Sequence, residues 1–211
     1  MTTSTPISLR EKNRLRLRSQ IVEATTALLG EMEFTGFTAD DIAARAEVAR
    51  ATFFRYFDSK DAAVVAAFYE QRFAALVAVM NAAPAELGPV DAIIWAFTRL
   101  EENFSQQRAM ILFQAKMVAA SPGLRAKALE YQARYSQAIA DAVAPRYGQL
   151  GPHDLRPRLL SVTTLMVVTS TIDYWADGNS GLSLPLLVNT ALLQMKSGFS
   201  ADKGKPVVPK T

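Results

Sequence analysis

Arg50, Thr52, Arg55 and Tyr56 fall within seven residues, and no acid stands between Glu47 and Asp58. Guanidinium, hydroxyl and phenol groups on one short segment suit phosphate oxygens and base edges, because a guanidinium fork pairs with guanine O6 and N7 while hydroxyls bond phosphate. A solvated helix face ordinarily mixes charge signs. A second basic cluster lies upstream, where Arg10, Lys12, Arg14, Arg16 and Arg18 face Glu11 alone in residues 1–20. Residues 21–60 carry four basic against seven acidic groups, and the whole chain is only +3. Attraction to a polyanion must therefore come from the basic arm and the Arg50 segment, not from a global field.

Catalytic constellations are missing from the same reading. The chain has one histidine, His153, and no cysteine. No phosphate-cradling glycine loop, nucleophile elbow or HExxH pattern occurs. Asp173 and Asp177 beside Trp175 read as polar groups at a helix end. No enzyme, cofactor or metal is expected. The charged N-terminus has no apolar run after it and does not read as a signal peptide. The longest uncharged run of interest, residues 159–172, is 14 residues with six Ser or Thr, too short to span a bilayer. A cytoplasmic protein without a membrane segment is expected.

The elements that hold the Arg50 segment follow from local patterns. Thr38 can cap a helix, and Asp41 three residues on completes an acidic capping box. Ile42, Ala43 and Ala46 then share one face. Glu47, Val48 and Ala49 form a turn. A second helix over residues 50–57 turns Phe53 and Phe57 inward with Val48, leaving Arg50, Ala51, Thr52, Phe54 and Arg55 outside. Asp58 or Ser59 caps the next helix. Two short helices joined by such a turn make a helix-turn-helix, whose second helix enters the major groove by its N-terminal end.

Thr38, Asp41, Ile42, Ala43, Ala46, Val48, Thr52, Phe53, Phe57, Ser59 and Lys60 form a gapless pattern that resembles the DNA-binding segment of the TetR family of bacterial regulators. That family often has Gly where Glu47 and Glu33 stand here. A non-Gly residue in the left-handed region carries a steric cost. The family usually has Tyr and His at the positions of Phe54 and Tyr56; Phe54 cannot donate to a phosphate. Arg50 is the expected base reader, with Ala51 against a thymine methyl. Thr38, Thr52, Arg55, Tyr56 and Lys60 are expected phosphate contacts, with Phe54 on the same face. Arg14, Arg16 and Arg18 are expected to reach the minor groove or the backbone.

The fold predicted is all-α, about nine helices in two domains. Residues 1–60 form the DNA-binding domain with its basic arm, 61–200 a ligand-binding and dimerisation domain, and 201–211 a disordered tail. Helix 1 covers residues 9–32, with Leu17, Ile21, Ala24, Leu28 and Met32 inward. Helices follow over 59–81, 90–105, 107–120, 122–147, 155–176 and 184–199. The stripe of the 107–120 helix is read as Met110, Phe113 and Met117. Helix 8, residues 155–176, has no charge between Arg158 and Asp173 and must be enclosed on all sides. A homodimer through helices 8 and 9 would enclose it, as the resemblance also implies. A two-fold dimer spaces its recognition helices about 34–36 Å apart, so double-stranded DNA with an imperfect inverted repeat is the expected partner.

The resemblance further implies a small-molecule effector among the central helices. Candidate lining residues are Trp95, Phe97, Phe104, Met110, Phe113, Met117, Tyr131 and Tyr135, with Thr163 and Met166 from helix 8. The set is apolar, so a lipophilic effector is favoured. The segment RPRLLSVTTLMVVTSTIDYWADG resembles the C-terminal domain of TetR-like regulators that bind acyl-CoA-like ligands. Arg99, Arg108, Lys116, Arg125 and Arg134 are cations available for such a ligand. One alternative stays open: a helical ligand-binding module with reduced or no DNA binding, suggested by Glu47 and Phe54.

Overall fold

The computed structural model describes residues 8–100, 107–151, 153–178 and 182–198. Among these residues the chain forms nine α-helices and two short 3-10 turns, with no strand. In order they are α1 Leu9–Glu31, α2 Ala39–Arg45, α3 Arg50–Tyr56, α4 Lys60–Ala82, α5 Pro89–Arg99, α6 Arg108–Ala120, α7 Pro122–Val143, α8 Arg156–Ala176 and α9 Leu184–Lys196. The 3-10 turns are Phe34–Gly36 and Ala144–Tyr147. Phe104, Phe199 and the tail 201–211 lie outside the described residues. The chain divides into two compact units, Met1–Gln71 and Arg72–Thr211, and the division falls inside α4 rather than at its start.

In the first unit, the Ser8 hydroxyl starts α1 by accepting the Glu11 N–H at 3.2 Å. Ile21, Ala24, Thr25 and Leu28 form its buried stripe. The buried Thr25 hydroxyl donates back to the Ile21 carbonyl at 2.8 Å, so that hydroxyl is not stranded. Ile42, Phe53, Val64 and Val65 are fully enclosed, with Phe37 and Phe57 nearly so. Met32 departs from the expected stripe. It follows the last residue of α1 with extended backbone (φ −139°), so the helical phase that would bury it has ended and it is half-exposed.

The second unit is built on α8, which packs against both α7 and α9, while α9 also packs on α5. Leu76, Met80, Ile93, Phe97, Ile139, Val143, Val168, Trp175, Val188 and Leu192 belong to one apolar core. Proline sets the boundaries. Pro89 and Pro122 open α5 and α7, where a missing N–H costs nothing. Pro145 lies just past α7 and the chain tightens there into a 3-10 turn, since proline cannot continue the α-helical ladder. From that turn the Arg146 guanidinium donates to the carbonyls of Pro84, Leu87 and Ala83 at 2.6, 3.1 and 2.9 Å.

The phase of α6 corrects the sequence reading. Its buried residues are Ile111 and Gln114, while Met110 and Phe113 are about half exposed at 53% and 47%. The segment is apolar nearly all round, so periodicity does not fix which face is inside. Gln114 can be buried because the Arg72 guanidinium donates to its side-chain oxygen, which satisfies a group otherwise costly to enclose.

Candidate nucleic-acid interface

The Thr38 capping box forms with both halves present. The Thr38 hydroxyl accepts the Asp41 N–H at 3.2 Å, and an Asp41 carboxylate oxygen accepts the Thr38 N–H at 2.8 Å. The Thr38 hydroxyl also donates to that oxygen at 2.7 Å. These donors hold the Asp41 carboxyl below the usual aspartate range. The Thr38 proton is therefore committed inside the box rather than aimed at a phosphate.

The turn that follows bends through Glu47, whose φ is +52°, the one non-glycine residue with positive φ among the described residues. The left-handed region costs an L-residue roughly 1–2 kcal/mol. Glu33 needs no such conformation, with φ −67° and ψ 154°. The turn closes with the Val48 N–H donating to the Ala43 carbonyl at 3.0 Å, and α3 begins at Arg50.

Two rings anchor α3 from below. Phe53 is completely buried and Phe57 almost so, with centroids 5.9 Å apart. Burial of such a ring contributes about 1.5–3 kcal/mol. On the other side Arg50, Ala51, Phe54 and Arg55 are exposed, and Thr52 and Tyr56 half-buried. The Arg55 guanidinium lies 5.6 Å from the Tyr56 ring. Arg50 is held from two directions: its Nη1 donates to Asp40 Oδ2 at 2.5 Å, and its guanidinium lies 5.3 Å from the Phe54 ring centre. Nothing in the sequence reading singled out Asp40, although its place ten residues before Arg50 across a tight turn is the available signal.

Two expected DNA contacts are turned inward. Lys60 donates to the carbonyls of Phe34 and Phe37 at 2.8 and 3.0 Å, and its ammonium sits 4.0 Å from the Phe34 ring centre. It thus terminates the 3-10 turn before α2. Arg18 pairs with Glu70 through Nε at 2.9 Å, donates to the Tyr56 carbonyl at 3.2 Å, and stacks 4.3 Å from the Phe57 ring. Arg18 therefore ties α1 to α4 and to the end of α3. Arg14 lies on the surface, paired with Glu11 at 2.6 Å, and Arg16 is exposed. All three lie inside α1, so the basic residues from Arg10 onward are helical turns rather than a separate arm.

The expected effector residues separate into two groups. Phe97 and Tyr131 are buried, with Trp95, Met117 and Tyr135 half-buried. Arg99 stacks 4.9 Å from the Trp95 ring, and Arg134 lies 4.8 Å from the Tyr131 ring and 5.2 Å from the Phe73 ring. Met110, Phe113, Thr163 and Met166 face outward in the single chain, which removes them from an internal lining. On α8 Leu159, Val162, Thr163, Met166, Ser170 and Tyr174 face outward at three- and four-residue steps, with the charged Arg156, Arg158 and Asp173 exposed toward the two ends of the helix. Its most exposed large apolar members are Leu159 and Met166, 61% and 55% exposed. The inward hydroxyls of α8 bond to preceding carbonyls: Thr164 to Leu160 at 2.8 Å and Thr171 to Val167 at 2.7 Å. By length and composition alone, α4 and α8 each reach across a bilayer, a result the 14-residue uncharged run did not anticipate.

Comparison with known proteins covers both units. Residues 21–67 match the family described as bacterial regulatory proteins, tetR family. Residues 87–200 match the MftR C-terminal domain. The HTH-type transcriptional regulator TcmR of Streptomyces glaucescens is 29% identical over 219 residues, covering 97% of this chain and 95% of its own. The putative mycofactocin biosynthesis transcriptional regulator MftR of Mycobacterium tuberculosis is 27% identical over 163 residues, covering 76% of this chain and 80% of its own. Among solved structures, FadR of Thermus thermophilus, a TetR family repressor in complex with lauroyl-CoA, shares the fold with a TM-score of 0.65. It is 22% identical and covers 92% of this chain and 100% of that one.

Proposed function

The chain belongs to the TetR family of bacterial regulatory proteins, which are DNA-binding transcriptional regulators and not enzymes, and on that premise we propose that it is a repressor released by a lipophilic effector. As a homodimer it holds an imperfect inverted repeat, with α3 of each protomer in a major groove. The observation that carries this reading is the outer face of α3, where Arg50 and Arg55 are exposed and no acid intervenes. Arg50 reads a base, Ala51 meets a thymine methyl, and Thr52, Arg55 and Tyr56 set register on phosphates. Arg14 and Arg16 supply further phosphate contacts.

The outward apolar stripe of α8 supports dimerisation through α8 and α9. A stripe of this kind, apolar apart from Thr163 and Ser170, marks an interaction surface, and a second copy of α8 covers it with an identical surface. The same apolar composition lets α8 pass a length test for a membrane span, but its buried Ser161 and Thr164 pack within the unit, as in a soluble bundle. This reading implies a cytoplasmic protein.

The effector reading rests on the buried aromatic and aliphatic residues of α5 to α7 and on the cations Arg72, Arg99 and Arg134 near them. These suit a lipophile with an anionic end, such as an acyl-CoA. FadR of Thermus thermophilus holds lauroyl-CoA, but that likeness is one of fold. Effector binding would act by preferring one of two conformations of the dimer, and it can weaken DNA binding only by that difference in affinity.

The inward engagement of Lys60 and Arg18 favours one second reading, a ligand-binding module with reduced DNA affinity. One titration separates the two. Fluorescence anisotropy with DNA flanking the protein's own gene is expected to show salt-sensitive, sequence-selective binding by the dimer; its absence would sink the repressor reading. A thermal-shift series with fatty acyl-CoAs, free fatty acids and drugs tests the effector, and stabilisation by none of them would overturn the lipophilic assignment.

A further inference from the structure

We propose that Asp40 and Phe54 are specificity-determining positioning residues, which together set the Arg50 guanidinium for reading a base. The proposal rests on the DNA-reading role of α3 above. Arg50 opens α3 with a long, flexible side chain, and ordering such a chain on binding costs rotamer entropy. Here the guanidinium is already held from two sides. The Asp40 carboxylate in the first turn of α2 accepts from Nη1 at 2.5 Å. The Phe54 ring, one turn along α3, lies 5.3 Å from the guanidinium carbon. Arg50 uses Nη1 for this bond, which leaves the Nε and Nη2 edge for the parallel pair that guanine O6 and N7 accept.

Phe54 also meets the buried Phe53 ring edge-to-face, with centroids 5.2 Å apart, which seats the ring it offers to Arg50. Asp41, not Asp40, closes the capping box. Arg50 and Asp40 are 68% and 56% exposed, and a pair so solvated adds little to stability. A carboxylate on a DNA-facing surface repels phosphate, so Asp40 weakens sequence-independent binding. Its gain must then lie in discrimination, where a fixed guanidinium rejects the wrong base and a bare carboxylate penalises a misplaced backbone. Phe54, which cannot donate to phosphate, acquires a role as the platform under Arg50.

The test begins with duplexes selected by the wild-type dimer from a randomised library. Anisotropy then compares the best duplex with one altered at the base pair where Arg50→Ala loses discrimination. Asp40→Ala is expected to lower that ratio about two- to fivefold, within what so solvated an ion pair can transmit, while strengthening binding to unselected DNA. Asp40→Asn, which keeps an acceptor, should retain part of the ratio. Phe54→Leu should lower it severalfold and Phe54→Tyr preserve it. In an Arg50→Ala background, Asp40→Ala should leave the ratio unchanged. Thermal melts of every variant separate folding from recognition, and the solvated Asp40→Asn keeps the comparison available if another variant unfolds. An unchanged ratio in Asp40→Ala and Phe54→Leu, or equal changes on all duplexes, would overturn the proposal. If the wild type selects no sequence, the DNA reading fails first and takes this inference with it.

Discussion

Two outward faces of this chain differ in almost every respect. The outer face of α3 is short and basic, and its side chains already have partners: Asp40 and Phe54 for Arg50, the Tyr56 ring for Arg55. The outer face of α8 is long and apolar, with Leu159, Val162, Met166 and Tyr174 open. The first keeps its hydration and exchanges partners when a polyanion arrives. The second gains only by being removed from water. A regulator needs both kinds, since a readable face must stay soluble while a pairing face must not.

The contrast breaks most severely on the α8 side. Met166→Glu is expected to give a folded monomer by sedimentation, because the position is solvated in the single chain. Its affinity for an inverted repeat should fall on the order of a hundredfold or more, as linked half-sites gain 10²–10⁴ from avidity. A smaller effect is expected on the α3 side. Arg50→Ala should cost roughly 1–3 kcal/mol on the preferred sequence and little elsewhere; an equal loss on all sequences would make Arg50 a phosphate contact. Smaller again is Glu47→Gly, expected to raise stability by about 0.5–1 kcal/mol in thermal unfolding by relieving the left-handed backbone. No gain would mean the turn carries no strain.

The smallest effect concerns pH. The Asp41 carboxyl is lowered in the folded protein by the Thr38 hydroxyl and N–H. A lowered acid contributes stability that is full above the ordinary aspartate value of about 4 and is lost as the pH falls through the folded value. Asp41→Asn should therefore flatten the acid limb of the stability profile, and an unaltered limb would show the capping box to be unimportant there.

The all-α fold and the faces of α3 were legible because Phe53 and Phe57 recur at a four-residue step out of phase with Arg50 and Arg55, and because Thr38 and Asp41 carry a local signal that needs no partner elsewhere. The phase of α6 was not, since Met110, Ile111, Leu112 and Phe113 are apolar in succession and the Arg72 partner that satisfies the buried Gln114 lies 42 positions away. The inward partners of Arg18 and Lys60 were not legible for a related reason. Their partners are Glu70, 52 positions away, and the carbonyls of Phe34 and Phe37. A basic residue in a basic cluster looks free until a distant acid or an open carbonyl claims it.

Arg146 shows the same dependence over a longer reach, since it closes the turn after α4 by gathering the carbonyls of Ala83, Pro84 and Leu87. That turn lies some sixty positions earlier in the chain, where Pro84 and Pro89 lack amides and the Leu87 N–H donates to the Pro84 carbonyl at 3.3 Å. It therefore borrows part of its order, and in folding it gains that part when the end of α7 arrives, a non-local step that is slow by nature. Amides of this turn should exchange with solvent as one group with those around Arg146, and both should loosen together when that guanidinium is removed.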